Sequence, residues 1–195
     1  MKKINIKDKK ILIIGGAGFI GHNLALKLKK LQANVSIVDG LSVNNLYAME
    51  NNQLELPYPK LAFTILTERQ TLLKKADIPM YIEDARNYHK LSSLFNQVKP
   101  QIVIHLAAVS HANKSNKDPH STFDHSLRTL ENALDNAKKR IEHFIFLSSS
   151  MVYGNFKKQE VDENEICEPI GIYGALKHSA EKIIKAYNQT FDLPY

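Results

Sequence analysis

The chain has 195 residues, of which 44% are hydrophobic and 24% charged, with a formal net charge of +6. These values are typical of one globular domain and exclude a disordered chain. No apolar run approaches the roughly 18 residues of a membrane helix. The single cysteine excludes an internal disulfide and predicts a cytoplasmic, reducing location. The lysines are spread out, which favours an anionic small molecule over nucleic acid as the partner.

The first predicted elements form a βαβ unit. Residues 10–14 carry the apolar run of a strand that is buried on both faces of a parallel sheet. Leucines repeat on one face of an amphipathic helix over 24–31, with lysines on the other face. A second strand over 35–38 then ends at Asp39 and Gly40.

The next segment, from about 41 to 76, breaks this regularity. It contains two Asn-Asn pairs and two prolines before a helical pattern begins at Leu61. We interpret it as an insertion at the rim of the sheet, inside a single domain that spans 1–195.

The second half alternates strands with helices. Strands are predicted over 80–83, 102–106 and 144–147, and helices over 88–98, 122–139 and 173–191. A loop is expected over 107–119, and Pro100 ends the helix before it. This alternation predicts an α/β fold with a doubly wound parallel sheet, the Rossmann type, whose ligand site lies at the carboxyl ends of the strands.

A glycine turn joins the first strand to the first helix. Gly15, Gly18 and Gly21 follow the spacing G-x-x-G-x-x-G. Glycines at such positions allow a tight turn and close approach of a diphosphate, to which the helix N-terminus offers free N–H groups. The alternative is a plain turn between strand and helix, but the surrounding βαβ pattern favours a dinucleotide site.

Asp39 ends the second strand, close to the usual distance of about 20 residues after such glycines. A carboxylate there accepts hydrogen bonds from ribose hydroxyls and repels a 2′-phosphate, so NAD is preferred over NADP. The alternative role is that of a turn-forming residue before Gly40.

Two weaker signals follow. Asp84 and Ala85 end the third strand, where a carboxylate can meet the adenine amino group, although Asp84 is equally suited to capping the next helix. Four histidines, at 105, 111, 120 and 125, match no compact metal-ligand spacing, so no metal is expected. We interpret His105 as a strand-end residue packed near the cofactor.

A tyrosine and a lysine one helical turn apart carry the predicted chemistry. Tyr173 and Lys177 share one face of a helix, and a nearby cation favours the phenolate of a tyrosine whose free pKa is about 10. Ser148, Ser149 and Ser150 end the preceding strand and offer a hydroxyl for the same substrate oxygen. The alternatives are a solvated helix face and a polar strand end.

In combination these motifs resemble the extended short-chain dehydrogenase/reductase family, in particular its NAD-dependent nucleotide-sugar epimerases and dehydratases. The resemblance rests on the glycine turn, Asp39, Asp84-Ala85-Arg86, His105-Leu106-Ala107-Ala108, the segment Ser148 to Gly154, and Tyr173 to Lys177. It implies Tyr173 as general base, Lys177 as ribose-binding cation and Ser149 as hydroxyl donor. It also implies cofactor contacts by Gly15, Gly18, Phe19, Ile20, Gly21, Asp39, Asp84, Ala85, Leu106, Ala107, Ala108, Tyr173 and Lys177.

The resemblance further bears on the reaction. Dehydratases of the family have an Asp-Glu pair where this chain has Ser150-Met151, so epimerisation of a nucleotide sugar is favoured. A dehydratase, a reductase or an NAD-binding module without turnover are the alternatives. The chain stops where family members continue into a substrate-binding portion, which is therefore expected to be absent. A homodimer is expected through the helices at about 122–139 and 173–191.

Overall fold

A computed structural model describes residues 5–42, 45–51, 58–109 and 112–195, with the backbone alone over 112–114. Its centre is a parallel sheet in the order β3-β2-β1-β4-β5. The strands are β1 (Lys10–Ile14), β2 (Asn34–Asp39), β3 (Met80–Ile82), β4 (Ile102–His105) and β5 (His143–Phe146). The chain therefore winds outward from β1 in both directions, which confirms the predicted doubly wound sheet.

Helices connect the strands, and their bounds are as follows. They are α1 (Phe19–Lys30), α2 (Leu46–Glu50), α3 (Pro59–Lys75), α4 (Tyr88–Val98), α5 (Ala112–Lys117), α6 (Pro119–Phe123), α7 (Thr129–Ala137) and α8 (Gly171–Phe191). A π-helical turn over Asp124–Arg128 joins α6 to α7, and a 3₁₀ turn covers Ser150–Val152. The interpretation of 41–76 as an insertion stays a prediction, and part of that segment lies outside the described residues.

The predicted helix over 122–139 is wrong in its bounds and its regularity. Helical structure already begins at Pro119, because Asp118 caps α6 by accepting a hydrogen bond from the Ser121 N–H at 3.1 Å. It ends at Ala137, and Lys139 has a positive φ of 58°. The expected loop over 107–119 contains the short helix α5.

Side chains of the sheet alternate between two hydrophobic clusters, one on each face. On one face Leu12, Ile14 and Val103 pack in a cluster with residues of α4, α7 and α8. On the other face Ile11 and Ile13 pack in a cluster with residues of α1 and α3. Both faces of the sheet are thus covered, and the carboxyl ends of β1, β2 and β4 meet at one edge.

Candidate functional site

The glycine turn is held tightly against the neighbouring strands. The Gly15 N–H donates to the Val38 carbonyl at 2.8 Å, and Gly15 has a φ of +81°. A Cβ at Gly15 would lie 2.7 Å from the Ala107 nitrogen, and one at Gly21 would lie 2.5 Å from the Gly16 Cα. Glycine at these two positions is therefore required by the fold itself.

Gly18 differs from the other two glycines. It is the N-cap of α1, and a Cβ there would meet only the Gly15 carbonyl oxygen, at 3.6 Å. Its φ of −69° is open to any residue. The space next to the Gly18 Cα is therefore open to a ligand. It lies at the N-terminus of α1, the positive end of the helix dipole, and the first turn of this helix has no acidic residue. This opening fits the diphosphate of a dinucleotide.

Asp39 connects the end of β2 to this turn. Its Oδ2 accepts a hydrogen bond from the Ala17 N–H at 2.9 Å, and its Oδ1 accepts one from the Leu41 N–H at 2.8 Å. Burial raises the pKa of the Asp39 carboxyl, while both backbone donors act to lower it. The bond to Leu41 is the turn-forming role foreseen as the alternative, and the bond to Ala17 fixes the carboxylate beside the glycines. A carboxylate oxygen has a further lone pair for a ribose hydroxyl.

The loop after β3 contains an ionic network. The Arg86 guanidinium donates to both carboxylate oxygens of Asp84 and, at 2.8 Å, to Oδ2 of Asp124. The Arg86 guanidinium beside Asp84 also lowers the pKa of that carboxyl. The expected role of Asp84 toward adenine stays a prediction, since its carboxylate is already bound to Arg86.

The suggestion that Asp84 caps α4 is wrong. The cap is Asn87, whose side chain accepts a hydrogen bond from the Lys90 N–H at 3.1 Å. Asp84 instead accepts from the Arg86 N–H at 2.9 Å, and the loop is anchored to α7 by Asn132, which donates to the Ala85 carbonyl at 2.9 Å. Three residues separate Asp84 from the first turn of α4, which is too far for a cap.

A small pocket lies at the carboxyl edge between α8 and the loop after β4. It is lined by Ala107, Ala108, Ser126, Phe146, Tyr173, Leu176, Lys177 and Ala180. The loop reaches this position because the N–H groups of Leu106 and Ala107 both donate to the Ile14 carbonyl. The structure thus brings Tyr173 and Lys177 together with Ala107 and Ala108, next to the glycine turn.

Lys177 is an unusually buried ammonium, with only 7% of its surface exposed. Its Nζ donates to the Leu147 carbonyl at 2.7 Å and lies 4.6 Å from the centre of the Phe146 ring. Burial lowers the pKa of Lys177 to about 8. His105, at the end of β4, packs against the rings of Phe144 and Phe146, and its burial lowers its pKa to about 3.

The serines after β5 occupy different positions. Ser149 Oγ accepts from the Met151 N–H at 3.2 Å and caps the 3₁₀ turn, and it is not among the pocket-lining residues. Ser148 Oγ is hydrogen-bonded to Glu181 on α8.

Ser126, on the π-helical turn, lines the pocket and was not predicted, because no local pattern marks a π turn. A Cβ at Gly174 would lie 2.6 Å from the Met151 carbonyl oxygen, so glycine lets α8 approach this turn.

Two further observations concern the described part of the chain. Within 5–42, 45–51, 58–109 and 112–195, no three His, Cys, Asp or Glu side chains are grouped as metal ligands, and His111 lies outside these ranges. No helix in the same ranges has the length and hydropathy needed to cross a membrane.

The fold and the site together define a dinucleotide-binding protein of the Rossmann type. The family model for the NAD dependent epimerase/dehydratase family matches residues 11–195, and the chain belongs to this family. The resemblance seen in the sequence is confirmed, and the NAD dependence of the family agrees with the cofactor expected from Asp39.

Individual relatives match nearly all of this chain. A probable UDP-arabinose 4-epimerase 3 from Arabidopsis thaliana is 31% identical over 188 residues, which are 94% of this chain and 41% of the relative. A dTDP-D-glucose 4,6-dehydratase from Dictyostelium discoideum is 30% identical over 209 residues, covering 98% and 44% of the two chains. The structure of UDP-glucose 4-epimerase from Brucella ovis in complex with NAD matches with a TM-score of 0.76 at 24% identity, covering 95% and 49%, which shows a common fold. The chain therefore spans about half the length of the relatives that it matches.

Proposed function

We propose that the chain is the NAD-binding and catalytic part of an enzyme that epimerises a nucleotide sugar at C4. The observation that carries the proposal is the lining of the pocket. The described lining residues supply a phenol, an ammonium and a hydroxyl, from Tyr173, Lys177 and Ser126, and no carboxylate. Removal of water needs an acid and a base beside the sugar, whereas epimerisation through a C4 ketone needs one residue that exchanges the C4 hydroxyl proton.

In this proposal each residue has a defined task. NAD, when bound, accepts a hydride from the sugar carbon and later returns it. Tyr173 takes the proton of the C4 hydroxyl and gives it back after the keto sugar has turned its other face. Following the family resemblance, we assign the orientation of the same sugar oxygen to the hydroxyl of Ser149, which caps the 3₁₀ turn and is not among the residues that line this pocket.

Lys177 supplies a fixed positive charge in the pocket that Tyr173 also lines. Because its pKa is lowered only to about 8, the side chain remains mostly cationic at pH 7. The hydrogen bond to the Leu147 carbonyl holds the ammonium at the pocket wall. Apolar neighbours such as Leu176 and Ala180 limit the access of water to this ammonium.

A second candidate function is binding of NAD without turnover of a sugar. It is favoured by the pocket lining, of which five of the eight residues are apolar, namely Ala107, Ala108, Phe146, Leu176 and Ala180. A related dehydratase or reductase is a further alternative, distinguished by loss of water or by net accumulation of NADH with a nucleotide sugar.

Two substitutions separate cofactor binding from catalysis. We expect Asp39→Ala to abolish NAD binding measured by calorimetry, because it removes the carboxylate that meets the ribose. We expect Tyr173→Phe to keep NAD binding and to lower epimerisation of a nucleotide sugar, followed by NMR, by at least about 100-fold.

Tyr187→Phe, on the same helix and packed against the core, is the matched control and should change neither quantity. An unmutated protein that does not bind NAD would disprove the proposal. An unmutated protein that binds NAD but leaves nucleotide sugars unchanged would favour the second candidate.

We also propose a homodimer and a cytoplasmic location. The dimer is supported by the family resemblance through the helices at about 122–139 and 173–191, and the location by the single cysteine, Cys167. Leu130, Leu134 and Ile184 are buried in the core, so any contact between copies must use the outer, largely polar faces of these helices.

A further inference from the structure

A cation outside the predicted site lies against the glycine turn. Helix α3 packs on α1, and the side chain of Arg69, on α3, extends over the ring of Phe19. The guanidinium carbon lies 5.7 Å from the centre of that ring. Phe19 is the first residue of α1 and is 70% exposed. Arg69 therefore contacts the ring of the residue that begins α1.

The charge of Arg69 is not neutralised within the described residues. Arg86 and Arg128 form ion pairs with carboxylates, and Arg140 donates to the side-chain oxygen of Asn96. Arg69 has no ion pair or hydrogen bond in the described part of the chain, where its contact is with the Phe19 ring. Partial burial lowers the pKa of its guanidinium.

Two positive features therefore meet at Phe19, whose backbone begins α1 and whose ring contacts the Arg69 guanidinium. The N-terminus of α1 carries about half a positive charge, and its first turn has no acidic residue. A guanidinium brought beside it, partly removed from water, is electrostatically unfavourable in the absence of an anion. An anion between the two removes the repulsion and gains a charge-assisted hydrogen bond from each side.

We infer that Arg69 binds the diphosphate of the cofactor. The planar guanidinium fits two phosphate oxygens at once, and its contact with the Phe19 ring holds it in place beforehand. Asp39, which accepts hydrogen bonds from Ala17 and Leu41, remains available to the ribose. In this arrangement the backbone N–H groups at the start of α1 and the Arg69 side chain of α3 both bind the diphosphate. A role for Arg69 in binding the 2′-phosphate of NADP is the competing explanation.

The test is calorimetric titration of the full chain with NAD, NADP, ADP and adenosine. We expect Arg69→Gln to raise the Kd for NAD, NADP and ADP about tenfold each and to leave that for adenosine unchanged. Binding of NAD should also become less sensitive to ionic strength, because one charge contact is lost. Arg140→Gln removes the same charge on the opposite face of the sheet and should behave as the unmutated protein.

Three results would overturn the inference: an unchanged Kd for NAD, a loss confined to NADP, or an equal loss for adenosine. A second measurement uses the unmutated protein, so it tests the contact between Arg69 and the diphosphate even if Arg69→Gln does not fold. The Nε–H resonance of Arg69, assigned by its absence from Arg69→Lys, should shift when ADP is added and stay in place with adenosine. A resonance that ADP leaves unmoved would contradict a contact with the diphosphate.

Discussion

The three glycines of the turn have different roles: two are required by the fold, and one leaves space for a ligand. Gly15 has a positive φ and faces the backbone of Ala107, and Gly21 faces the backbone of Gly16, so both satisfy the needs of the folded chain. Gly18 has an ordinary φ and open space beyond its Cα. The structure gives no internal reason for glycine at 18, and the approach of a phosphate supplies one.

This distinction leads to opposite expectations for two alanine substitutions. We expect Gly18→Ala to lower the free energy of unfolding by only about 1 kcal/mol, the usual cost of alanine at an N-cap, and to raise the Kd for NAD at least tenfold. Gly15→Ala should lower the free energy of unfolding by more, about 2 kcal/mol or above, because it adds a clash to a positive φ. Urea unfolding and calorimetry measure both effects. Gly18→Ala binding NAD with unchanged affinity would show that the space is not used.

His105 makes stability depend on pH in a defined window. Its pKa is about 3 in the folded protein, against about 6.5 in an unfolded chain, so between these values the unfolded state binds more protons. Its contribution is complete above pH 6.5 and is lost as the pH falls toward 3, by up to about 1.4 kcal/mol per pH unit. Urea unfolding of His105→Leu between pH 4 and pH 7 should show a shallower slope than the unmutated protein. If the free energy of unfolding changed equally with pH in the two proteins, the pH dependence would arise from other groups, for example carboxylates, and not from His105.

At the scale of elements, the strands were predictable to within one or two residues. The clearest case is β1, whose apolar run 11–14 is buried on both faces of the sheet, which leaves it little choice of structure. The leucine repeat over 24–31 predicted the body of α1, which begins earlier, at Phe19, directly after the glycine turn. Helix α5 was missed because its sequence, Ala-Asn-Lys-Ser-Asn-Lys, has no apolar repeat.

The candidate site was predictable only where its residues are close in sequence or end a strand. Tyr173 and Lys177 are one turn apart, and Asp39 ends β2. In contrast, the contact between Arg69 and Phe19 and the ion pair between Arg86 and Asp124 join distant segments. Such pairs depend on how helices pack, which local patterns do not encode.

On the scale of the whole molecule, the two sheet faces have different partners. Helices α7 and α8 lie on the face that carries Phe144, and their apolar residues are used in the core.

The homodimer is tested by light scattering of the full chain at several concentrations. We expect the mass of two copies, and a substitution on the outer face of α8, Lys185→Glu, should weaken the association. A single-copy mass at every concentration would contradict the dimer.

The π-helical turn over Asp124–Arg128 makes the pocket sensitive to the length of the chain at this point. A π turn holds one more residue than an α-helical turn, so it is equivalent to a single inserted codon within an otherwise continuous helix. Deleting that codon would rotate α6 relative to α7 by about 100°. Ser126 would leave the pocket and Asp124 would leave Arg86, while the inward face of α7 stayed in place. A one-residue deletion in this turn is therefore expected to change the polar lining of the pocket and to leave the core contacts of α7 in place.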